Sequence, residues 1–357
     1  MRIAFVAPLV APLSDATARG SHVVIAELAR ALSARGHEVV VFCAQGSYLK
    51  DVQLAPIAVD PRAGDSALVA GRRAGGPNRA LTSAFEELFW HVREWAPDVV
   101  SQHAFDAEAF DLSRDLPTVH TLHLNPTEPT VVDAVRATNP LLVAVSHDSA
   151  RRWVAAGARR VSAIPNGVPE FPAMLGAPEP FALVAGRITP EKGTAAAIRV
   201  ARRAALEVVL VGEVYDRGYF AREVVPLLDG VHVFRALPRE RVWALMSRAA
   251  VTLMPVEWDE AFGLVAAEAQ LAGCPVVGYA RGALPEVVPQ GTGGVLVTPG
   301  DEDALVGAVP VARSIERALI RADASDRFDL DTMADAHERL LLAAAKTTLP
   351  TPSRKAA

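Results

Sequence analysis

Apolar positions along this chain switch between two periods. Ile3 to Ala7 is an unbroken apolar run, the pattern of a strand buried on both faces. His22 to Ala34 then places Ile25, Leu28, Ala29 and Leu32 on one helical stripe, Gly36 marks its stop, and Val39 to Cys43 is the next β-branched run. Strand, helix and strand within about 40 residues form the unit that builds a parallel sheet. The alternation continues with a helix predicted over Leu81 to Glu94, its stripe being Phe85, Leu88, Phe89 and Val92. Asp98 to Val100, Thr118 to Leu122, Leu142 to Val145 and Val161 to Ile164 predict short buried strands, and Ser146 is placed to cap the helix after the third of them. Pro165-Asn166-Gly167 predicts a turn.

Four prolines then fall within residues 168–180, which predicts a linker. A second alternating series follows. Its predicted strands are Ala182 to Ala185, Glu207 to Val211, Val231 to Phe234, Val251 to Met254, Pro275 to Gly278 and Gly294 to Val297. Helices between them include Pro190 to Ala204, Arg239 to Ala249 and Ala261 to Ala272. The expected organisation is two doubly wound α/β domains, 1–167 and 181–328, then a helix near Leu330 to Ala345 within 329–346 and a disordered tail, 347–357.

Composition narrows the functions available. The 357 residues suit about two domains. With 51% hydrophobic and 22% charged residues the chain is globular. A net charge of −5 provides no basic field for long nucleic acid. Cys43 and Cys274 are the only cysteines, so neither a disulfide framework nor a cysteine-rich metal site can form. No apolar run reaches the roughly 18 residues of a membrane span. Met1 to Pro12 carries one positive charge and is interrupted by Pro8 and Pro12, so it reads as a first strand rather than a signal peptide. A cytoplasmic protein is expected, and the Ala- and Arg-rich composition suggests a bacterial one.

In open parallel sheets, ligands bind beyond the carboxyl ends of the strands. Gly186-Arg187-Ile188-Thr189-Pro190-Glu191-Lys192-Gly193 follows a predicted strand and opens a helix. Gly186 allows a tight turn, and Arg187 and Lys192 put two cations beside a helix N-terminus, a combination suited to a diphosphate. Read alone, the same loop could simply carry two solvated charges. Glu257 to Glu268 follows another strand. Glu260 stands at or just before the helix start, and Phe262, Gly263 and Leu264 offer backbone N–H groups there. Glu268, eight residues on, is turned about 80° past two full turns. It lies among Leu264, Val265, Ala267 and Leu271, where an unpaired acid is costly, so a partner such as Lys192 or a ligand hydroxyl is expected, unless the residue is an exposed acid on the polar face. Gly282 to Glu286 is a loop entering a helix and means little by itself. His120 and His123 end an apolar strand. His123 could donate to a substrate or be a satisfied core histidine; His120 fits the core role better. Asp301-x-Asp303 and Asp329-x-Asp331 precede helices and fit N-capping rather than metal binding.

Taken together these segments resemble glycosyltransferase family 4, retaining enzymes of the GT-B fold with two Rossmann-like doubly wound domains facing across a cleft. AGRITPEKG, PVEWDEAFGLVAAEAQLAGCPVV and GALPEVVPQGTGGVLV follow the family pattern in order and spacing, as do RGSHVVIAELARALSARGHEVVVF, PTVHTLHLN, VAVSHDSARRW and AIPNGV in the first half. The resemblance implies that Arg187 and Lys192 clamp the donor diphosphate after the turn at Gly186. It implies that Glu260 binds a hydroxyl of the transferred sugar and that Phe262, Gly263 and Leu264 present backbone N–H groups to sugar and phosphate. Glu268 would hold the ribose, His123 would meet the sugar near the reacting carbon, and Gly20 would let the first loop approach the phosphates. The final helix would cross back onto the first domain. A UDP- or GDP-sugar donor, a small-molecule, lipid-linked or saccharide acceptor, and no metal or other cofactor are implied as well.

Some positions depart from the family pattern. Arg19 precedes a single Gly20 where two glycines are frequent, Arg235 stands where glycine is frequent, and Glu213 replaces a small residue after Gly212. A sugar-nucleotide epimerase shares the two-domain architecture but gives no reason for the Glu260 and Glu268 arrangement. A non-catalytic nucleotide-sugar-binding subunit is a further alternative. A dinucleotide oxidoreductase is disfavoured, because no GxGxxG follows the first strand. Residues 50–80 match no pattern and are expected to form a mobile acceptor loop.

Overall fold

The computed structural model describes residues 1–15, 20–65, 78–138, 141–169, 177–235 and 237–346. Tertiary contacts divide the chain into two units: one takes the residues up to Gly167 and those from Leu330, the other takes Val168–Asp329.

The first unit is a seven-stranded sheet of β1 (Arg2–Val6), β2 (Glu38–Ala44), β3 (Gln53–Ile57), β4 (Val99–Gln102), β5 (Thr118–Leu122), β6 (Leu141–Ala144) and β7 (Val161–Ala163). Its order is β3-β2-β1-β4-β5-β6-β7 and every pairing is parallel. Helices α1 (Gly20–Ala34), α2 (Arg79–Trp95), α3 (Ala107–Leu112), α4 (Pro129–Ala137) and α5 (His147–Ala155) connect the strands. The unbroken apolar run of β1 has a direct cause. Ile3 and Phe5 pack with Ile25, Leu28 and Leu32 of α1, whereas Ala4 and Val6 pack on the other face with Phe85, Leu88 and Phe89 of α2. Ser146 caps α5, its hydroxyl accepting from the Ser149 N–H at 3.0 Å. β3 falls inside the stretch that matches no sequence pattern. Pro56 hid it: proline suits a strand only where its missing N–H is not needed, and β3 is the sheet's edge. Residues 66–77 of the expected acceptor loop lie outside the described residues.

The second unit is a six-stranded parallel sheet, ordered β10-β9-β8-β11-β12-β13. Its strands are β8 (Glu179–Ala185), β9 (Glu207–Val211), β10 (Val231–Phe234), β11 (Ala249–Met254), β12 (Val276–Tyr279) and β13 (Gly294–Val297). Its helices are α6 (Thr194–Arg203), α7 (Arg217–Tyr219), α8 (Arg239–Arg248), α9 (Leu264–Leu271), α10 (Leu284–Val287), α11 (Glu302–Arg313) and α12 (Arg317–Arg327). Asp301 caps α11 by accepting from the Ala304 N–H at 2.8 Å.

Two helices start later than their apolar pattern suggests. The helix expected from Pro190 is a 3₁₀ turn, Pro190–Lys192, followed by Gly193 at φ 66°, and only then α6. A Cβ on Gly193 would lie 2.0 Å from the Pro255 carbonyl oxygen, so the two loops meet at backbone distance. The helix expected from Ala261 begins at Leu264, because Gly263 takes φ 97°. β8 begins at Glu179, inside the stretch read as linker, and Val168 bridges Asp329; residues 170–176 and the expected tail, 347–357, lie outside the described residues.

The last helix, α13 (Leu330–Ala345), packs in the first unit against α1, β4 and β5 through Met333, Ala334, His337 and Leu341. Arg35, just past the end of α1, binds Asp331 at 2.8 Å and Asp335 at 3.0 Å, and His37 meets Glu338 at 2.7 Å.

In each sheet the strand order reverses at the centre, between β1 and β4 and between β8 and β11. The carboxyl ends of those strand pairs are the crevices where open parallel sheets bind ligands.

Candidate active site

The loops leaving β8 and β11 flank the reversal point of the second unit. Gly186 follows β8 at φ 139°, and its carbonyl oxygen would lie 1.7 Å from a Cβ on Gly212, so the turn needs glycine at both positions. Arg187 lies 3.7 Å from Glu191 and 5.3 Å over the Tyr215 ring. Lys192 forms an ion pair with buried Glu260 and lies 4.8 Å over the Trp258 ring. The Glu257 N–H donates to the Glu191 carbonyl at 2.8 Å, tying the two loops together.

Gly282-Ala283, uninformative in the sequence, props up this carboxylate. The Ala283 N–H donates to the Glu260 carbonyl at 2.9 Å, and a Cβ on Gly282 would lie 2.4 Å from the Glu260 backbone. Phe262 is buried edge-to-face against Phe328 at 5.9 Å. Gly263 and Leu264 form the start of α9, so Glu260 lies in the loop before the helix and Glu268 within it.

That separation corrects one expectation. Lys192 is the partner of Glu260, and Glu268 instead binds the Nε of Arg239 at 2.8 Å, with the Glu268 side chain 10% exposed. Arg239 opens α8, which packs on α9, and its guanidinium lies 4.4 Å over the Trp243 ring. The sequence reading missed Arg239, although it carried a signal: a cation in the first turn of a helix opposes the macrodipole and calls for another counter-charge. Arg187, Lys192 and Arg239 thus each rest between one carboxylate and one aromatic face.

Gly20 and His123 belong to the first unit. Gly20 is the first residue of α1, and Arg19 lies outside the described residues. His123 follows β5 directly and lines a small pocket with Phe105, Leu124 and Asn125. Its Nε2 lies 2.9 Å from Nδ1 of His103, a residue the sequence reading did not single out, and Nε2 of His103 lies 2.9 Å from Oγ of Ser101. Burial pushes the His123 ring down to about 3, so it is neutral near pH 7. Burial, then the neighbouring His123, His337 and His120, holds His103 well below the ordinary histidine value. His120 stacks on Phe110 at 4.9 Å and is a core residue. Among the described residues no group of three or more His, Cys, Asp or Glu side chains could hold a metal ion, and no helix is long and apolar enough to cross a membrane.

Residues 18–170 match the family model described as Glycosyltransferase Family 4, and residues 171–316 match that described as Glycosyl transferases group 1. The chain is 31% identical to D-inositol 3-phosphate glycosyltransferase of Xylanimonas cellulosilytica, over 94% of this chain and 95% of that one. The chain belongs to glycosyltransferase family 4. This glycosyltransferase is also 27% identical to glycogen synthase of Mycobacterium tuberculosis over 89% of each chain. It shares the GT-B fold with sucrose-phosphate synthase from Thermosynechococcus elongatus (TM-score 0.76, 20% identity, 96% of this chain and 99% of that one). It shares the fold also with HepE of Anabaena, solved with UDP and glucose (TM-score 0.74, 19% identity, 96% of this chain and 100% of that one).

Proposed function

We propose that this glycosyltransferase moves a sugar from a UDP- or GDP-sugar to an acceptor with retention of configuration at the anomeric carbon. The observation that carries this reading is the Lys192–Glu260 ion pair at the strand reversal, beside the start of α9. Each member of the pair occupies the place of a substrate group: the carboxylate stands in for a phosphate against Lys192, and the ammonium for a sugar hydroxyl against Glu260. A diphosphate sugar satisfies both at once. The UDP and glucose bound by the structural relative from Anabaena support the same class of donor.

Residue roles follow from charge. Arg187 and Lys192 bind the diphosphate, with backbone N–H groups of Phe262, Gly263 and Leu264 beside it. Glu260 accepts from a sugar hydroxyl. Glu268, held through one oxygen by Arg239, accepts from the ribose. Gly20 lets the backbone at the head of α1 come close to the phosphates, and neutral His123 meets the sugar near the reacting carbon. As the bond from the anomeric carbon to the phosphate oxygen breaks, negative charge grows on the diphosphate, where the two cations and the N-terminus of α9 stabilise it without a metal. The departing phosphate oxygen accepts the proton of the incoming acceptor hydroxyl on the same face of the sugar, so no protein nucleophile is needed.

The test is a thermal-shift series with UDP, GDP and their sugar conjugates. A ligand at 100 times its Kd stabilises the fold by about 2.7 kcal/mol. One nucleoside diphosphate is expected to shift the wild type clearly and to lose that shift in K192A and E268A. Absence of a shift with every compound, or a shift that survives both variants, rejects this donor site. NMR of the product anomer then decides between retention and inversion.

A further inference from the structure

We infer that Ser101 and His103 form a directed hydrogen-bond relay that places the proton of His123 on Nδ1, which makes His103 a positioning residue for the transferred sugar. The inference rests on the reading that His123 meets the sugar. The relay sits beside the point where the first sheet reverses its order: Ser101 is in β4, His103 follows it, and His123 follows the neighbouring β5.

The direction comes from counting protons. An N···N hydrogen bond between two neutral imidazoles holds one proton. If Ser101 donates to Nε2 of His103, then Nδ1 of His103 carries the proton and donates to Nε2 of His123, whose own proton must sit on Nδ1. In the reverse arrangement, Nε2 of His103 would donate to Ser101. The Ser101 hydroxyl hydrogen would then be buried with no acceptor, since His103 is the only hydrogen-bond partner of that fully buried side chain among the described residues. The first arrangement satisfies that hydroxyl and leaves the one unpartnered hydrogen on Nδ1 of His123, which is not among the fully buried polar atoms without a partner.

Packing holds both rings in place. His103 stacks on Phe5 at 5.2 Å and 6°, and His123 lies edge-on to Phe105 at 6.3 Å. His337 of α13 lies 6.5 Å from the His103 ring, and a proton added to any of these rings would be buried beside other histidines. With Nε2 committed, His123 turns Nδ1–H to its ligand. It therefore donates to an oxygen, a sugar hydroxyl or a phosphate oxygen, and cannot serve as the base that takes the acceptor's proton.

Two readouts test this on the full chain. Long-range proton–nitrogen NMR of ring-labelled histidines reports which nitrogen of His123 is protonated, with H123N identifying its signals. The expected result is protonated Nδ1 and bare Nε2 in the wild type. H103N, whose amide can replace the Nδ1–H donor, is expected to keep that state, and H103L to lose it. A proton on Nε2 of wild-type His123, or an unchanged tautomer in H103L, overturns the relay. The second readout is the ratio of affinities for UDP and UDP-glucose, and for GDP and GDP-mannose. The relay predicts at least a fivefold loss of the sugar's contribution in H103L and S101A, restored in H103N, with UDP and GDP binding unchanged. If H123N itself leaves the ratio unchanged, the reading of His123 fails while the tautomer result still stands on its own. If H123N changes the ratio and H103L does not, the positioning role fails alone. H103N and S101A keep the test decisive if H103L does not fold.

Discussion

Lys192 lies between a carboxylate and an indole face, and these two contacts fix where its charge is presented. Glu260 neutralises the ammonium, and Trp258 holds it without competing for its hydrogen bonds. A hydrogen bond to a charged group is worth about 1.5–3 kcal/mol, so K192A is expected to weaken nucleoside diphosphate binding roughly 10- to 100-fold by calorimetry. W258L is expected to lose part of that affinity and W258F to recover most of it, because phenylalanine keeps a ring face; equal affinities in the two variants would dismiss the indole's role. Arg239 predicts a different outcome. Its replacement by methionine leaves Glu268 buried without its counter-charge, which costs about 3–5 kcal/mol of stability, read from urea unfolding. At this scale the residue types were legible, and the pairing was not. Glu268 demanded a partner on burial grounds alone, yet α8, 29 residues upstream, supplied it.

At the scale of elements, two glycines with the same backbone conformation give a controlled comparison. Gly193 and Gly230 have φ of 66° and 67°, but a Cβ on Gly193 meets the Pro255 carbonyl, whereas nothing lies within 4 Å of one on Gly230. Gly230→Ala is expected to cost about 1 kcal/mol for backbone conformation alone. Gly193→Ala adds a collision to that strain and should cost clearly more than about 3 kcal/mol, with loss of the turn that presents Lys192. Equal melting temperatures for the two variants would contradict this account. The strand and helix series was readable because buried parallel strands are apolar runs and their crossover helices carry one stripe. The helix starts at Thr194 and Leu264 were not readable, because the helical pattern runs straight through Gly193 and Gly263.

At the scale of the whole molecule, the first unit keeps several neutral histidines out of water. Burial holds His120 and His123 at about 3 and His337 at about 4. These values lie below that of an unfolded chain, so between the folded value and about 6.5 the unfolded state binds more protons, and stability falls as pH falls. Each such histidine contributes a slope of about 1.4 kcal/mol per pH unit in that window. Urea unfolding at pH 7, 6 and 5 is expected to show stability declining with acid, more shallowly in H120N; a flat profile would mean that these rings titrate normally. The amino-acid sequence by itself determined two parallel α/β sheets, the order of their motifs and the residue types of the loops proposed to bind the donor, because these depend on periodicity and on chemistry close along the chain. Tertiary structure alone decided that Lys192 meets Glu260, that Arg239 meets Glu268, and that His103 stands behind His123. Those partners lie in segments that follow neighbouring strands or on packed helices, far apart along the chain, and only the strand order and the packing of α8 on α9 bring them within hydrogen-bond reach.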